Sequence, residues 1–259
     1  MALGFSIGII GSGMLGGAIA QALWRAEPQA LYVANRSGKA PDIADFPPEN
    51  TLRDPQALAE RCDVVILCVP PSGARNLRIN ARDTLVISVM AGVPLAELSR
   101  LSGSPRVIRA MSSPAAASAL AYSPWIASTA VTPQDRARTR TLFEACGTTD
   151  ELQSESHIDL FTAMTGPVPG FVAACAAAMV RHAEAEGVPP GIADRAVRQL
   201  FLAAGEMMAH GPSPQDHVDE MIDYAGTTAA GLLTLRENGF DARLAQGLAA
   251  AAQKSREIY

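Results

Sequence analysis

The chain has 259 residues, 48% of them hydrophobic and 18% charged, with a net charge of −5. That length supports one large or two modest domains with a full core, and the composition is that of a globular protein rather than a disordered one. Mild acidity without a basic block or interleaved aromatics argues against a nucleic-acid partner, and no apolar run reaches the roughly 18 residues of a membrane span. The longest, Phe171 to Val180, is short and rich in alanine. The start of the chain has no basic segment and reads as no signal peptide, so the cytoplasm is the expected location.

The apolar, β-branched run Phe5 to Ile10 predicts the first strand, and Ala18 to Ala26 the first helix. Between them stand Gly11-Ser12-Gly13-Met14-Leu15-Gly16, with the spacing G-x-G-x-x-G. In that context Gly11 permits the tight turn, Gly13 lets the backbone approach a diphosphate, and Gly16 lets the helix pack on the strand. The helix start offers free N–H groups and a positive dipole end to the anion. The expected cofactor contacts are therefore Gly11, Ser12, Gly13, Met14 and Leu15. A glycine-rich turn without a ligand is the plainer alternative.

Leu31 to Ala34 reads as the second strand, followed by Asn35, Arg36 and Ser37. An NAD-specific fold carries an acid at the end of this strand to bind the ribose hydroxyls. Here the first acid is Asp42. Asn35, Arg36 and Ser37 instead offer donors and a positive charge where a 2′-phosphate would lie, and a planar guanidinium suits phosphate. NADP(H) is the expected cofactor, with NAD(H) also possible; Arg36 as a solvated loop cation is the alternative.

Asp54 to Arg61 predicts a short helix. Asp63 to Val69 is nearly continuous apolar, as in a parallel strand buried on both faces, and Pro70-Pro71 ends it. Ligands bind at the carboxyl edge of such a sheet, which makes Val69 and Pro70 candidates, with Ala91 after the next strand, Thr84 to Val89. Pro94 to Leu101 reads as a helix, Arg106 to Arg109 as a strand, Tyr122 to Ser128 as an element closing the sheet, and Gln134 to Cys146 as a helix. The alternation predicts a doubly wound α/β domain.

After about Glu155 alanine and methionine rise and helical periodicity takes over. Thr165 to Gly170 is a breaker cluster. Helices are predicted over Phe171 to Glu186, Pro190 to His210, Pro214 to Ile222, Ala229 to Glu237 and Phe240 to Ile258. The expected division is a dinucleotide-binding domain over residues 1–155 and a helical domain over 156–259. The second is small to be stable alone, which points to dimerisation.

Such a pairing suggests an oxidoreductase whose substrate meets the nicotinamide between the two halves. The two lysines, Lys39 and Lys254, fit no catalytic role, which weakens a hydroxyacid dehydrogenase. The four histidines and four cysteines show no metal spacing, so no metal is expected. Ala225-Gly226-Thr227-Thr228 breaks one helix and opens another, presenting hydroxyls and N–H groups together. The same residues also read as plain helix capping, and spacing leaves both readings open.

Over essentially its whole length the sequence resembles the pyrroline-5-carboxylate reductase family. Gly11-Ser12-Gly13-Met14 resembles the family's G-x-G-N-M-A, Asn35-Arg36-Ser37 its asparagine-arginine-serine, and Ser88 to Gly92 its S-x-x-A-G. Val107 to Met111 resembles the strand before its M-P-N-T-P, Asp159 to Gly166 its D-x-x-T-A-L-S-G, and Gly226-Thr227-Thr228 with Gly231-Leu232 its S-P-G-G-T-T…G-L. Asn238-Gly239-Phe240 and Arg256-Glu257 also fit. The departures surround the substrate pocket: Ser112-Ser113 replaces proline-asparagine, and Asp223, Tyr224 and Ala225 replace serine, proline and a glycine.

The resemblance implies a Rossmann-type N-terminal domain with an all-α C-terminal dimerisation domain. It implies NADPH-dependent reduction of the C=N bond of 1-pyrroline-5-carboxylate to L-proline, in proline biosynthesis. Thr228 would hydrogen-bond the ring nitrogen, and the Gly226 and Thr227 N–H groups would hold the carboxylate. Met111 and Ser112 would also meet the substrate. The family pairs its helical domains into a homodimer, often assembled further, with each site shared between subunits. The changed pocket leaves two alternatives: a reductase of another cyclic imine, or a catalytically silent NADP-binding protein.

Overall fold

The first apolar run forms β1 (Leu3–Ile10), and the glycine turn leads into α1 (Met14–Arg25) and back to β2 (Pro28–Ala34). The computed structural model describes residues 3–166 and 169–259. β3 (Thr51–Leu52), α2 (Pro55–Ala59), β4 (Val64–Leu67), α3 (Pro71–Ala74), β5 (Leu85–Ser88), α4 (Leu95–Ser102) and β6 (Val107–Ala110) complete the βα alternation. β7 (Ala121–Tyr122), β8 (Trp125–Ala127), α5 (Pro133–Glu144), β9 (Gly147–Thr148) and α6 (Glu155–Met164) follow.

The main sheet runs β3-β2-β1-β4-β5-β6-β8. All pairs are parallel except the last, in which β8 lies antiparallel to β6. Sequence order reverses between β1 and β4, which opens a crevice at their carboxyl ends. The apolar strands are apolar because both faces are covered. Ile7, Ile9, Val64, Ile66, Leu85 and Ile87 face one core, and Ile10, Val65, Leu67 and Val86 the other.

The segment expected to close the sheet divides in two. β8 joins the main sheet, while β7 pairs with β9 in a separate two-stranded ribbon. Pro124 between them has no N–H to give a ladder, which ends one strand before the next begins. β3 was not expected, since two residues carry no periodicity.

α6 is fastened to the sheet by charge. Arg109 of β6 is only 4% exposed and reaches Asp159 at 2.5 Å and Glu155 at 3.2 Å. The Glu155 carboxylate also accepts from the Leu95 N–H at 2.8 Å, at the start of α4. All four cysteines are free thiols. Burial pushes Cys62, Cys68 and Cys146 up to about 12.

The remaining elements are α7 (Gly170–Ala185), α8 (Pro190–His210), α9 (Pro214–Asp223), α10 (Thr227–Glu237) and α11 (Phe240–Glu257). By internal contacts Met1–Val168 and Leu248–Tyr259 form one unit, and Pro169–Gly247 a second. In the second, α7 packs on α8 and α9 on α10. Few of its side chains are buried (Ala193, Val197 and Ala229), and large apolar ones remain open, with Leu202 at 68% and Met207 at 65% exposed. Pro167 and Val168, at the centre of the expected breaker cluster, lie outside the described residues. Among those residues no helix is long and apolar enough to cross a membrane.

Candidate active site

A cleft of about 710 Å³ opens at the carboxyl ends of β1 to β4. After β1 it is lined by Gly11, Ser12 and Gly13, and after β2 by Asn35, Arg36 and Ser37. Arg53 follows β3 and Val69 with Pro70 follows β4. Eight of the expected cofactor residues are thus brought to one cleft.

Each glycine of the turn has a separate physical reason. Gly11 adopts φ +102, and a Cβ there would lie 2.5 Å from the Cys68 carbonyl oxygen. A Cβ on Gly16 would lie 1.9 Å from the Gly11 oxygen, so α1 sits directly on the turn. A Cβ on Gly13 would meet nothing within 4 Å among the described residues, and Gly13 is the N-cap of α1 without a side-chain cap. Two glycines are thus required by the protein's own packing, and the third leaves open backbone at an uncapped helix start. Such a start suits an anion, and the cleft has the size of a ligand site. Among the described residues no carboxylate lines it, whereas two guanidiniums do. The residues present fit a dinucleotide.

Asn35 works differently from expectation. Its Nδ2 donates to Ser12 Oγ at 2.8 Å and to the Lys39 carbonyl at 2.9 Å. Its Oδ1 accepts from Ser37 Oγ at 2.9 Å and from the Gly38 N–H at 2.7 Å. The amide therefore builds the loop, and the Ser37 hydroxyl is engaged with it. Of the three residues expected to supply donors, Arg36 keeps its side chain free of hydrogen bonds among the described residues.

Met14, Leu15 and Ala91 are not among the cleft's lining residues. Met14 is 81% exposed on the first turn of α1, and Leu15 packs toward the core. Ala91 precedes Gly92, whose φ is +75 and where a Cβ would lie 2.5 Å from the Ser255 oxygen. That loop is held by the end of the chain. Arg53, Ser72, Gly73 and Asn76 also line the cleft and carry no signal in the sequence. Arg53 follows a two-residue strand, and the next two belong to the four-residue α3, so no periodic signal marked them.

Met111 and Ser112 follow β6 and are buried, at 5% and 2% exposure. Ser112 Oγ accepts from Ser123 Oγ at 2.9 Å, which ties it to the segment between β7 and β8.

In the second unit, α9 ends at Asp223, and Tyr224 and Ala225 lead to Gly226, the N-cap of α10. Ala225 stands at φ +56, a left-handed conformation that a glycine would adopt without strain. Gly226 brings no side-chain cap, and among the described residues neither the Thr227 nor the Thr228 hydroxyl accepts from a main-chain N–H. The plain capping reading is therefore not what the structure shows. Both threonines are exposed, with their hydroxyls and the N–H groups of the first turn at the same helix end. Among the described residues no three His, Cys, Asp or Glu come together as metal ligands.

Sheet order and cleft together define a dinucleotide-binding protein of the Rossmann class. Residues 6–92 match the family model for NADP oxidoreductase, coenzyme F420-dependent, and residues 155–258 the model for pyrroline-5-carboxylate reductase dimerisation. The pyrroline-5-carboxylate reductase of Methanosarcina acetivorans is 30% identical over 267 residues, covering 97% of each chain. Pyrroline-5-carboxylate reductase 2 of Bacillus subtilis is 27% identical, over 97% of this chain and 94% of that one. Among solved structures, 1-pyrroline-5-carboxylate reductase from Streptococcus pyogenes superposes with a TM-score of 0.83 at 26% identity, over 98% of this chain and 99% of that one. The Plasmodium falciparum pyrroline carboxylate reductase with NADP bound gives 0.79 at 20% identity, over 100% and 99%, a likeness of fold. The chain belongs to the pyrroline-5-carboxylate reductase family.

Proposed function

We propose that the protein reduces the C=N bond of 1-pyrroline-5-carboxylate to L-proline with NADPH. The observation that carries this is the cleft at the ends of β1 to β4, open at Gly13, without a carboxylate and with Arg36 on its wall, in a chain of this family. When bound, the reduced nicotinamide supplies the hydride that adds to the imine carbon. The protein's own part is to bind and orient. Main-chain N–H groups of Gly226 and Thr227 hold the substrate carboxylate at the positive end of α10. The Thr228 hydroxyl hydrogen-bonds the ring nitrogen, which gains a proton and becomes an amine. A protonated imine is already electrophilic, so holding the reactants in line is the main task.

Residues 1–155 serve the dinucleotide and residues 156–259 the substrate and self-association. The uncovered Leu202 and Met207 of α8 support a homodimer, and the cytoplasm is the compartment. Tyr224 favours a second reading, reduction of another cyclic imine. Its ring lies 3.2 Å from where a Cβ on Gly226 would stand and is 82% exposed, so it adds bulk beside the proposed carboxylate site.

The test is NADPH oxidation with pyrroline-5-carboxylate near neutral pH, with NADH in parallel. Rapid turnover preferring NADPH is expected. No turnover, with NADPH binding shown by thermal shift, would move the assignment to other imines or to a silent binding protein. Thr228→Ala should lower turnover far more than NADPH affinity, and unchanged turnover would remove Thr228 from the site.

A further inference from the structure

We propose that Arg53 is the second cation for the 2′-phosphate of the bound dinucleotide and, with Arg36, sets the preference for NADP over NAD. The inference rests on the reading that the cleft takes an NADP-type dinucleotide.

Three observations lead to it. The first is what the β2 loop leaves available. The Asn35 amide makes three hydrogen bonds inside the loop and one to Ser12 in the glycine turn, and the Ser37 hydroxyl donates to Asn35 Oδ1 and accepts from the Lys39 N–H at 3.1 Å. The donors that sequence would assign to a phosphate are used to shape the turn. Arg36 is then the cation that this loop presents to the cleft, and a dianionic phosphate is poorly neutralised by one guanidinium.

The second is the placement of Arg53. It lines the same cleft as Arg36 and Ser37, and its Nη2 donates to the Ser37 carbonyl at 3.0 Å. Its side chain lies across Gly38, where a Cβ would come 2.6 Å from Nε. Gly38 is at φ +67, so the residue under Arg53 must be small and must turn left-handed. One of five guanidinium N–H groups is used in holding the side chain flat. The others remain for an anion, in the planar fork that matches phosphate.

The third is charge. Neither Arg36 nor Arg53 makes an ion pair among the described residues, and no acid lines the cleft. The adjacent Asp54 has its carboxylate turned to α2, where it caps the Gln56 N–H at 2.9 Å. Lys39 lines a neighbouring cavity together with Asp42, which partly offsets its charge there.

The test is equilibrium binding of adenosine 2′,5′-bisphosphate and adenosine 5′-monophosphate to the full chain by calorimetry, which needs no turnover. The wild type should prefer the bisphosphate. Arg53→Ala should lose about tenfold on the bisphosphate and less than about twofold on the monophosphate, in line with loss of a charge-assisted hydrogen bond. Arg53→Lys should recover part of the loss, and Arg36→Ala with Arg53→Ala should abolish the preference. Arg53→Gln keeps the aliphatic cover over Gly38 and asks the same question if the alanine variant is unstable. Equal losses on both probes, no loss on the bisphosphate, or a wild type that binds both alike would each overturn the proposal. A wild type that prefers the bisphosphate but leaves pyrroline-5-carboxylate unreduced sinks the proposed reaction and leaves the assignment of Arg53 standing.

Discussion

Asn35 at the end of β2 donates a 2.8 Å hydrogen bond to Ser12 in the glycine turn after β1. One amide thus joins the two loops that form the floor and wall of the dinucleotide cleft, while its other bonds close the turn to Lys39. Arg36, the next residue, has no such duty. Asn35→Ala should therefore weaken NADPH and NADH alike, by about tenfold, because it removes shape rather than charge. Arg36→Ala should weaken NADPH far more than NADH. Fluorescence titration with both cofactors checks this; a selective loss of NADPH in Asn35→Ala would make Asn35 a phosphate ligand after all.

The three glycines of the turn should separate in their effects. Gly16→Ala puts a methyl 1.9 Å from the Gly11 oxygen and should destabilise the fold by about 3 kcal/mol or more. Gly11→Ala meets both the Cys68 oxygen and a positive φ and should also be destabilised. Gly13→Ala has free space and an ordinary φ of −68. It should melt within a few degrees of wild type yet bind dinucleotide more weakly, since its methyl occupies the approach of the diphosphate. Thermal melts and cofactor titration on the three variants decide the matter, and a Gly13→Ala protein that binds as wild type would displace the diphosphate from Gly13.

Arg109 and Asp159 form an ion pair that is almost fully buried, at 4% and 8% side-chain exposure. Removing one partner strands the other, so Asp159→Ala should cost about 3–5 kcal/mol in chemical denaturation. Glu155→Gln should cost clearly less, because Glu155 is 34% exposed and Arg109 keeps Asp159. Equal costs would mean that the two carboxylates share the guanidinium evenly.

Asp63 at the entry to β4 accepts from the Ser6 N–H at 2.9 Å and from Ser6 Oγ at 2.7 Å. The main-chain bond from Ser6, then the side-chain bond, holds its carboxyl below the usual range. A depressed folded value means that this stabilisation is fully present above the ordinary carboxylate pKa of about 3.9 and is lost as pH falls through the lower folded value. Asp63→Asn should be less stable than wild type at about pH 7, with a difference that shrinks toward about pH 3. Urea melts across that range test it; a difference independent of pH would leave the Ser6 bonds without an electrostatic share.

The sequence alone determined the elements whose signals are local. The order of apolar run, Gly11-Ser12-Gly13 and amphipathic segment predicts the strand, turn and helix that occur, because a turn of this kind admits few residues and a buried parallel strand admits few polar ones. The helical second half was legible for the same reason: Pro190 to His210 is bounded by Pro and Gly where the helix begins and ends. Local signals failed where elements were too short to have a period. β3 has two residues and α3 four, so Arg53 and Ser72 gave no sign that they line the cleft.

The tertiary structure decided which polar groups remain available. Asn35 and Ser37 were legible as donors, but their bonds to Ser12, Lys39 and each other depend on two loops meeting across the sheet. Arg109 finds Asp159 fifty positions along the chain, once burial makes an unpaired charge costly. Spacing in a sequence reports which residues share a strand or a helix face. Whether a given hydrogen-bond donor is used within the fold or left for a ligand depends on partners brought near by packing, and only the folded chain decides that.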